Sequence, residues 1–275
     1  MERSFPSLFT PMRIRGVFFR NRLMAAPIGA WTFSPDNYIF DYALEHFRQK
    51  AVGGACAVTV GHTEVNYRES DTDRFGLYFD LRKREGTGAL SEFANAVRRH
   101  GAHVSLELNY GGSPTMGSKL AGQECFAPVG YVREDGLVVH EITPEKMDEI
   151  IGQYAACARK LKLCGFDMVM IHGAHGWLPA QFAAPENTRT DEYGGCLENR
   201  LRFPVRLARA IREAVGEDMI IEYRISGCEP DKAPDLFREE VALVKALEPY
   251  IDLIHVSSGG GGGGPTAVKK PVLVL

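Results

Sequence analysis

Six short apolar runs punctuate this 275-residue chain, and from the second onward each follows a longer amphipathic stretch. No other feature of the sequence restricts the fold as much. The runs lie at 22–27 (RLMAAP), 55–60 (ACAVTV), 103–108 (HVSLEL), 166–171 (FDMVMI), 219–225 (MIIEYRI) and 251–256 (IDLIHV). Helical periodicity occupies 42–51, 90–99, 144–163, 201–214 and 236–247. Thr143 with Glu145-Lys146 supplies N-terminal capping chemistry, and Gly216 is placed to stop a helix. Strands alternating with helices predict parallel βαβ units. Runs this continuously apolar fit strands covered on both faces. No G-x-G-x-x-G follows the first strand, so the pattern favours a TIM (β/α)8-type barrel over a doubly wound dinucleotide-binding sheet.

Composition narrows the chemistry. The formal net charge is −3, from 32 basic and 35 acidic residues. No global basic field draws in nucleic acid or an anionic membrane. The six cysteines are scattered and no two form C-x-x-C, so no zinc or iron–sulfur site is expected. The first residues lack the apolar core of a signal peptide, and no run reaches the roughly 20 apolar residues of a membrane span. The expectation is a cytoplasmic protein with reduced thiols.

In such a barrel the chemistry sits where strands end. The residues just beyond the runs include Trp31, Gly61–Thr63 (61–63), 109–112, 172–177, Ser226 and Ser257-Ser258. His172 and His175, three apart at the fourth strand end, can converge on one ligand. Neutral imidazoles there can donate to a carbonyl oxygen or an enolate. They could instead bind a metal, with His62 and His255 as loose further ligands, although no metal set is assigned. Arg224 lies within an apolar strand and so must be paired, with a ligand or with Glu222 or Glu107. His62, Trp31 and Tyr110 are pocket-wall candidates. On physical grounds alone, 189–195 is a polar connecting loop.

At this point the residues resemble a known family. HGAHGWL at 172–178, Gln181-Phe182, Asn187 and RTDEYGGCLENR at 189–200 are similar to the signature of the old yellow enzyme family. These are the FMN-dependent NADH:flavin oxidoreductases and 2,4-dienoyl-CoA reductases. Leu8-Phe9-Thr10-Pro11, Asn21-Arg22-Leu23, Ala127-Pro128, Gly165-Phe166-Asp167, Arg224-Ile225-Ser226 and 255–259 also match. Glu107-Leu108 and Leu178-Pro179 lean toward the branch of trimethylamine dehydrogenase and the bile-acid-type oxidoreductases. The resemblance implies an FMN-binding barrel reduced by NADH or NADPH, acting on an α,β-unsaturated carbonyl compound. It implies Ala26, Pro27 and Gly61 along the isoalloxazine, Glu107 at its pyrimidine edge and Arg224 at N1/C2=O. It implies His172 and His175 on the substrate carbonyl.

Three departures qualify it. Trp177 stands where the family commonly has a proton-donating tyrosine, and an indole is not a useful acid near pH 7. Solvent, Tyr110 or a substrate group would have to serve instead. Glu107 replaces the usual glutamine, so it must be protonated, paired with Arg224 or turned to N3–H. Only 17 residues follow Ser258, and six of them form the glycine run 259–264. A βα unit takes roughly 30 residues, so strands seven and eight are expected to be short or missing. The division expected is 1–258 as an FMN-type barrel of about six units and 259–275 as an abnormal or truncated tail. An open barrel leaves strand edges that favour self-association. A flavin-free isomerase, lyase or binding protein, and a metal-dependent hydrolase, remain as alternatives.

Overall fold

The computed structural model describes residues 5–28, 41–70, 86–113, 124–228, 231 and 233–258. Trp31 and the tail expected at 259–275, with its glycine run, fall outside them. The chain begins with a β-hairpin, β1 (Met12–Ile14) and β2 (Val17–Phe19), followed by strand β3 (Met24–Ile28). Then come α1 (Asp41–Val52), β4 (Ala57–Glu64), a single turn α2 (Tyr67–Ser70), α3 (Thr87–Arg98) and β5 (His103–Asn109). A small sheet follows, of β6 (Cys125–Ala127), β7 (Tyr131–Val132) and β8 (Val138–Glu141). The remainder is α4 (Pro144–Leu163), β9 (Met168–His172), the short α5 (Leu178–Ala183) and α6 (Leu197–Arg200), α7 (Arg202–Val215), β10 (Ile220–Gly227), α8 (Pro234–Leu247) and β11 (Leu253–Ser258).

Strands β3, β4, β5, β9, β10 and β11 form one parallel sheet whose spatial order is their order in the chain. A doubly wound sheet reverses direction at a switch point. This one does not, so every crossover helix falls on the same face, as in a (β/α)8 barrel. The described residues supply six strands of that architecture. All six strands and all five long helices read from periodicity are present.

Alternation along the strands separates two faces. Val58, Val60, Val104, Leu106, Leu108, Val169, Ile171, Ile221 and Tyr223 turn outward into one hydrophobic core with the helices. Full burial of such a side chain contributes about 1.5–3 kcal/mol, so this layer dominates stability. A second cluster closes the sheet's N-terminal end, where Phe19 of the hairpin packs on Cys56, Ala57, Met168 and Ile220. That leaves the opposite end for polar chemistry. The cap foreseen at Thr143 forms, its hydroxyl accepting from the Lys146 N–H at 3.2 Å.

Candidate active site

The inner face of the sheet carries the site. Register pairs Arg224 with His172 on one side and His255 on the other, and pairs Glu107 with Met170, two residues before His172. Parallel pairing keeps partners on one face, so Glu107, His172, Arg224 and His255 share it. Ser257, two residues beyond His255, joins them. The same alternation places Ala26 with Met24, which pairs Ala57, while Ala26 and Pro27 lie at a register shift in β3. Gly61 is buried at a second shift, in β4.

The turn after β9 shapes the histidine pair. A Cβ at Gly173 would lie 2.2 Å from the Tyr223 ring, so only glycine permits this approach. His175 then adopts φ 58°, a left-handed conformation unusual for a non-glycine residue. Its N–H donates to Ser226 Oγ at 2.9 Å, which holds the turn in place. Backbone strain of this kind concentrates where function fixes a side chain.

The imidazoles form a relay. The Ala174 N–H donates to His172 Nδ1 at 3.4 Å. This assigns the His172 proton to Nε2, which lies 3.2 Å from His175 Nδ1. The His175 proton is then on Nε2, 2.8 Å from Ser257 Oγ. Burial, with Arg224 and the neighbouring histidine adding repulsion, drives the His172 pKa far below the usual range. Burial and Arg224 lower His175 to about 4. Both rings are therefore neutral near pH 7, the state that donates a hydrogen bond without carrying charge.

Arg224 pairs with Glu107, its Nη1 donating to Oε1 at 2.9 Å. Glu222, the other partner considered, instead faces His255 Nδ1 at 3.2 Å. Glu107 is 1% exposed, and burial pushes its carboxyl up to about 7 against the pull of Arg224. Arg224 also donates from Nη2 to Ser257 Oγ at 3.1 Å. Its Nε is buried with no partner among the described residues, as is Glu222 Oε2. His62 reaches the same cluster, where ligand atoms of His62, Glu107 and His172 lie within 4.8 Å of one another. His255 and His175, the other possible metal ligands, are not part of this triad.

Trp177 borders the histidines, its ring centroid 6.1 Å from His172 and 5.7 Å from His62. Tyr110 does not, which corrects its reading as pocket wall and substitute acid. It is fully buried in the outer core, and its hydroxyl donates to Glu69 Oε2 at 3.1 Å. Burial and Glu69 raise its pKa well above the ordinary value. Residue 110 follows the end of β5 one step out of phase with Glu107, so its side chain joins the helices.

Other residues matter more than periodicity showed. Gln181 joins two strand-end loops, donating to Gly111 O at 3.0 Å and Gly176 O at 2.7 Å. Within the 189–200 motif, Arg189 donates to Pro128 O and Ile142 O at 2.7 and 2.9 Å and pairs with Asp191. Arg200 reaches Ala183 O and grips Glu239 with two nitrogens. The motif is scaffolding that fastens the small sheet and α8 to the strand-end loops. A cleft of about 740 Å3 adjoins the histidine turn through Gly173, Gly176 and Ser226.

The class defined so far is a barrel-type parallel sheet with two neutral histidines and a part-buried arginine at its strand ends. Comparison makes the class specific. Residues 7–259 match the model of the NADH:flavin oxidoreductase / NADH oxidase family, and the chain belongs to that family. It is 31% identical over 268 residues to the NADH oxidase of Thermoanaerobacter brockii, covering 96% of this chain and 41% of that protein. It is 30% identical over 256 residues to the NADPH dehydrogenase of Clostridium acetobutylicum, covering 92% of this chain and 74% of that protein. Its fold matches the crystal structure of Old Yellow Enzyme from Pichia sp. AKU4542 with a TM-score of 0.79 at 24% identity, over 91% of this chain and 70% of that one. The chain thus spans about two fifths of the NADH oxidase. FMN is the cofactor for which the family is named, and the relatives' names give NADH and NADPH as reductants.

Proposed function

We propose that this chain is an FMN-dependent oxidoreductase that passes hydride from NADH or NADPH to an α,β-unsaturated carbonyl compound. The observation that carries the reading is the pair of neutral histidines 3.2 Å apart, with Arg224 on the adjacent strand. The residues fit the flavin. Arg224 Nε is a buried donor with no partner among the described residues, Glu107 lies beside it, and Ala26 and Gly61 are small residues on neighbouring strands. These groups, with Pro27, would hold the isoalloxazine. When bound, FMN supplies a two-electron hydride carrier.

The chain's own residues supply the rest. A substrate carbonyl takes the Nε2–H of His172 or His175 and breaks the internal relay at that link. Such donors stabilise charge that develops on the carbonyl oxygen and polarise the conjugated double bond. The cationic Arg224 stabilises negative charge on an adjacent electron-rich ring. Trp177 bounds the site and excludes water, but its N–H is no proton donor at neutral pH. The α-carbon proton therefore comes from solvent or from the substrate. The adjoining cleft has room for the body of an organic substrate. Free thiols at all six cysteines suit a reducing cytoplasm, and among the described residues no helix is long and apolar enough to cross a membrane.

The test is consumption of NADH and NADPH with FMN and a simple cyclic enone. Enone-dependent turnover is expected, with His172→Ala and His175→Ala each lowering kcat/KM by about tenfold or more, the scale of one lost hydrogen bond in a desolvated site. Turnover indifferent to both substitutions would refute the assigned roles.

A further inference from the structure

We propose that His62, Glu107 and His172 form a binding site for a divalent transition ion of the zinc type, and that this site and the flavin site exclude each other. Ligand atoms of the three residues already lie within 4.8 Å of one another. Zinc holds nitrogen and carboxylate ligands at about 2.0–2.2 Å, so tetrahedral ligands stand roughly 3.3 Å apart. Closing that gap takes small side-chain rotations. Two histidines and one glutamate form a donor set that leaves a fourth zinc position open.

The support for the three side chains is equally specific. They come from the C-terminal ends of adjacent strands β4, β5 and β9, so the sheet itself fixes their spacing. Arg224 donates to Glu107 Oε1 at 2.9 Å and so fixes that carboxylate. Partners of this kind orient metal ligands. A zinc ion would displace the Ala174 N–H from His172 Nδ1 or the proton from Nε2. His62 is the more exposed member, Glu107 and His172 each being 1% exposed. The positive charge of Arg224 opposes the ion, so the site favours exchange over permanent retention.

Exclusion of flavin rests on the proposed function, which puts the flavin's pyrimidine edge against Glu107 and the substrate against His172. An ion held by both residues occupies the same space. Zinc then acts as a reversible inhibitor that competes with the cofactor.

Equilibrium dialysis of the protein against ZnCl2, with and without saturating FMN, tests both parts. One zinc per chain is expected at this site. His62→Ala and Glu107→Gln should each weaken it at least tenfold, while His46→Ala on the exposed face of α1 should leave it unchanged. Equal zinc binding by the His62→Ala and native proteins would overturn the site. Circular dichroism of Glu107→Gln, matching the native spectrum, separates loss of a ligand from loss of fold. Zinc affinity unaltered by bound FMN would overturn exclusion alone. If the protein takes up no FMN, exclusion and the flavin reading fall together, and the variants still decide the metal site.

Discussion

Glu107 is a carboxyl held well away from its ordinary state. Its folded pKa of about 7 exceeds the usual 4.5 because burial outweighs the attraction of Arg224. The folded protein then binds more protons than the unfolded chain between about pH 4.5 and 7. Stability falls as pH rises through that window, and the full cost applies above it. His172, His255, Glu222 and Arg224 face the same carboxyl, so the effect is shared, with an upper scale of about 3 kcal/mol. Denaturant unfolding of Glu107→Gln should lose this slope between pH 4.5 and 7 relative to the native protein. An unchanged slope would assign it to other groups. Trp177 gives the second expectation at this scale. Trp177→Tyr should raise enone reduction in flavin-loaded protein, since a positioned general acid contributes on the order of 100-fold or more. No change would count against the account of the missing proton donor. Tyr110→Phe, by contrast, should leave the rate unchanged. The inward position of Glu107, His172 and Arg224 was legible from strand phase and family resemblance. The outward position of Tyr110 was not, because its phase opposite to Glu107 becomes visible only once β5 is located and seen to carry its alternation past Asn109.

The turn joining β9 to α5 behaves as one unit. Gly173→Ala drives a methyl into the Tyr223 ring, so the turn must shift and carry His175 with it. Overpacking of this kind costs about 1–3 kcal/mol. A lower melting temperature together with a rise in KM for the enone is expected. A variant as stable and active as the native protein would show the turn to be loosely held. The loop at 189–200 is fastened by buried arginines. The Arg189 guanidinium holds the Asp191 carboxyl below its usual range. Arg189→Ala strands two buried carbonyls and should cost about 1–3 kcal/mol, read as a shift in denaturation midpoint. The long elements were legible because the hydrophobic period repeats several times along each. The β1–β2 hairpin was not. Its turn needs left-handed backbone at both Arg15 and Gly16, and arginine does not advertise that conformation as asparagine would. The small sheet leaves no periodic signal because its strands are two to four residues long.

At the scale of the molecule, the apolar outer face binds helices while the inner face gathers histidines, arginine and glutamate at one end. This division turns a stable sheet into a site, and it follows from strand alternation once the order of the strands is known. The most direct test of the account is titration of the purified protein with FMN, followed by flavin absorbance and fluorescence. One FMN per chain is expected, with Arg224→Ala weakening binding at least tenfold. Protein that stays colourless and takes up no added FMN would contradict it.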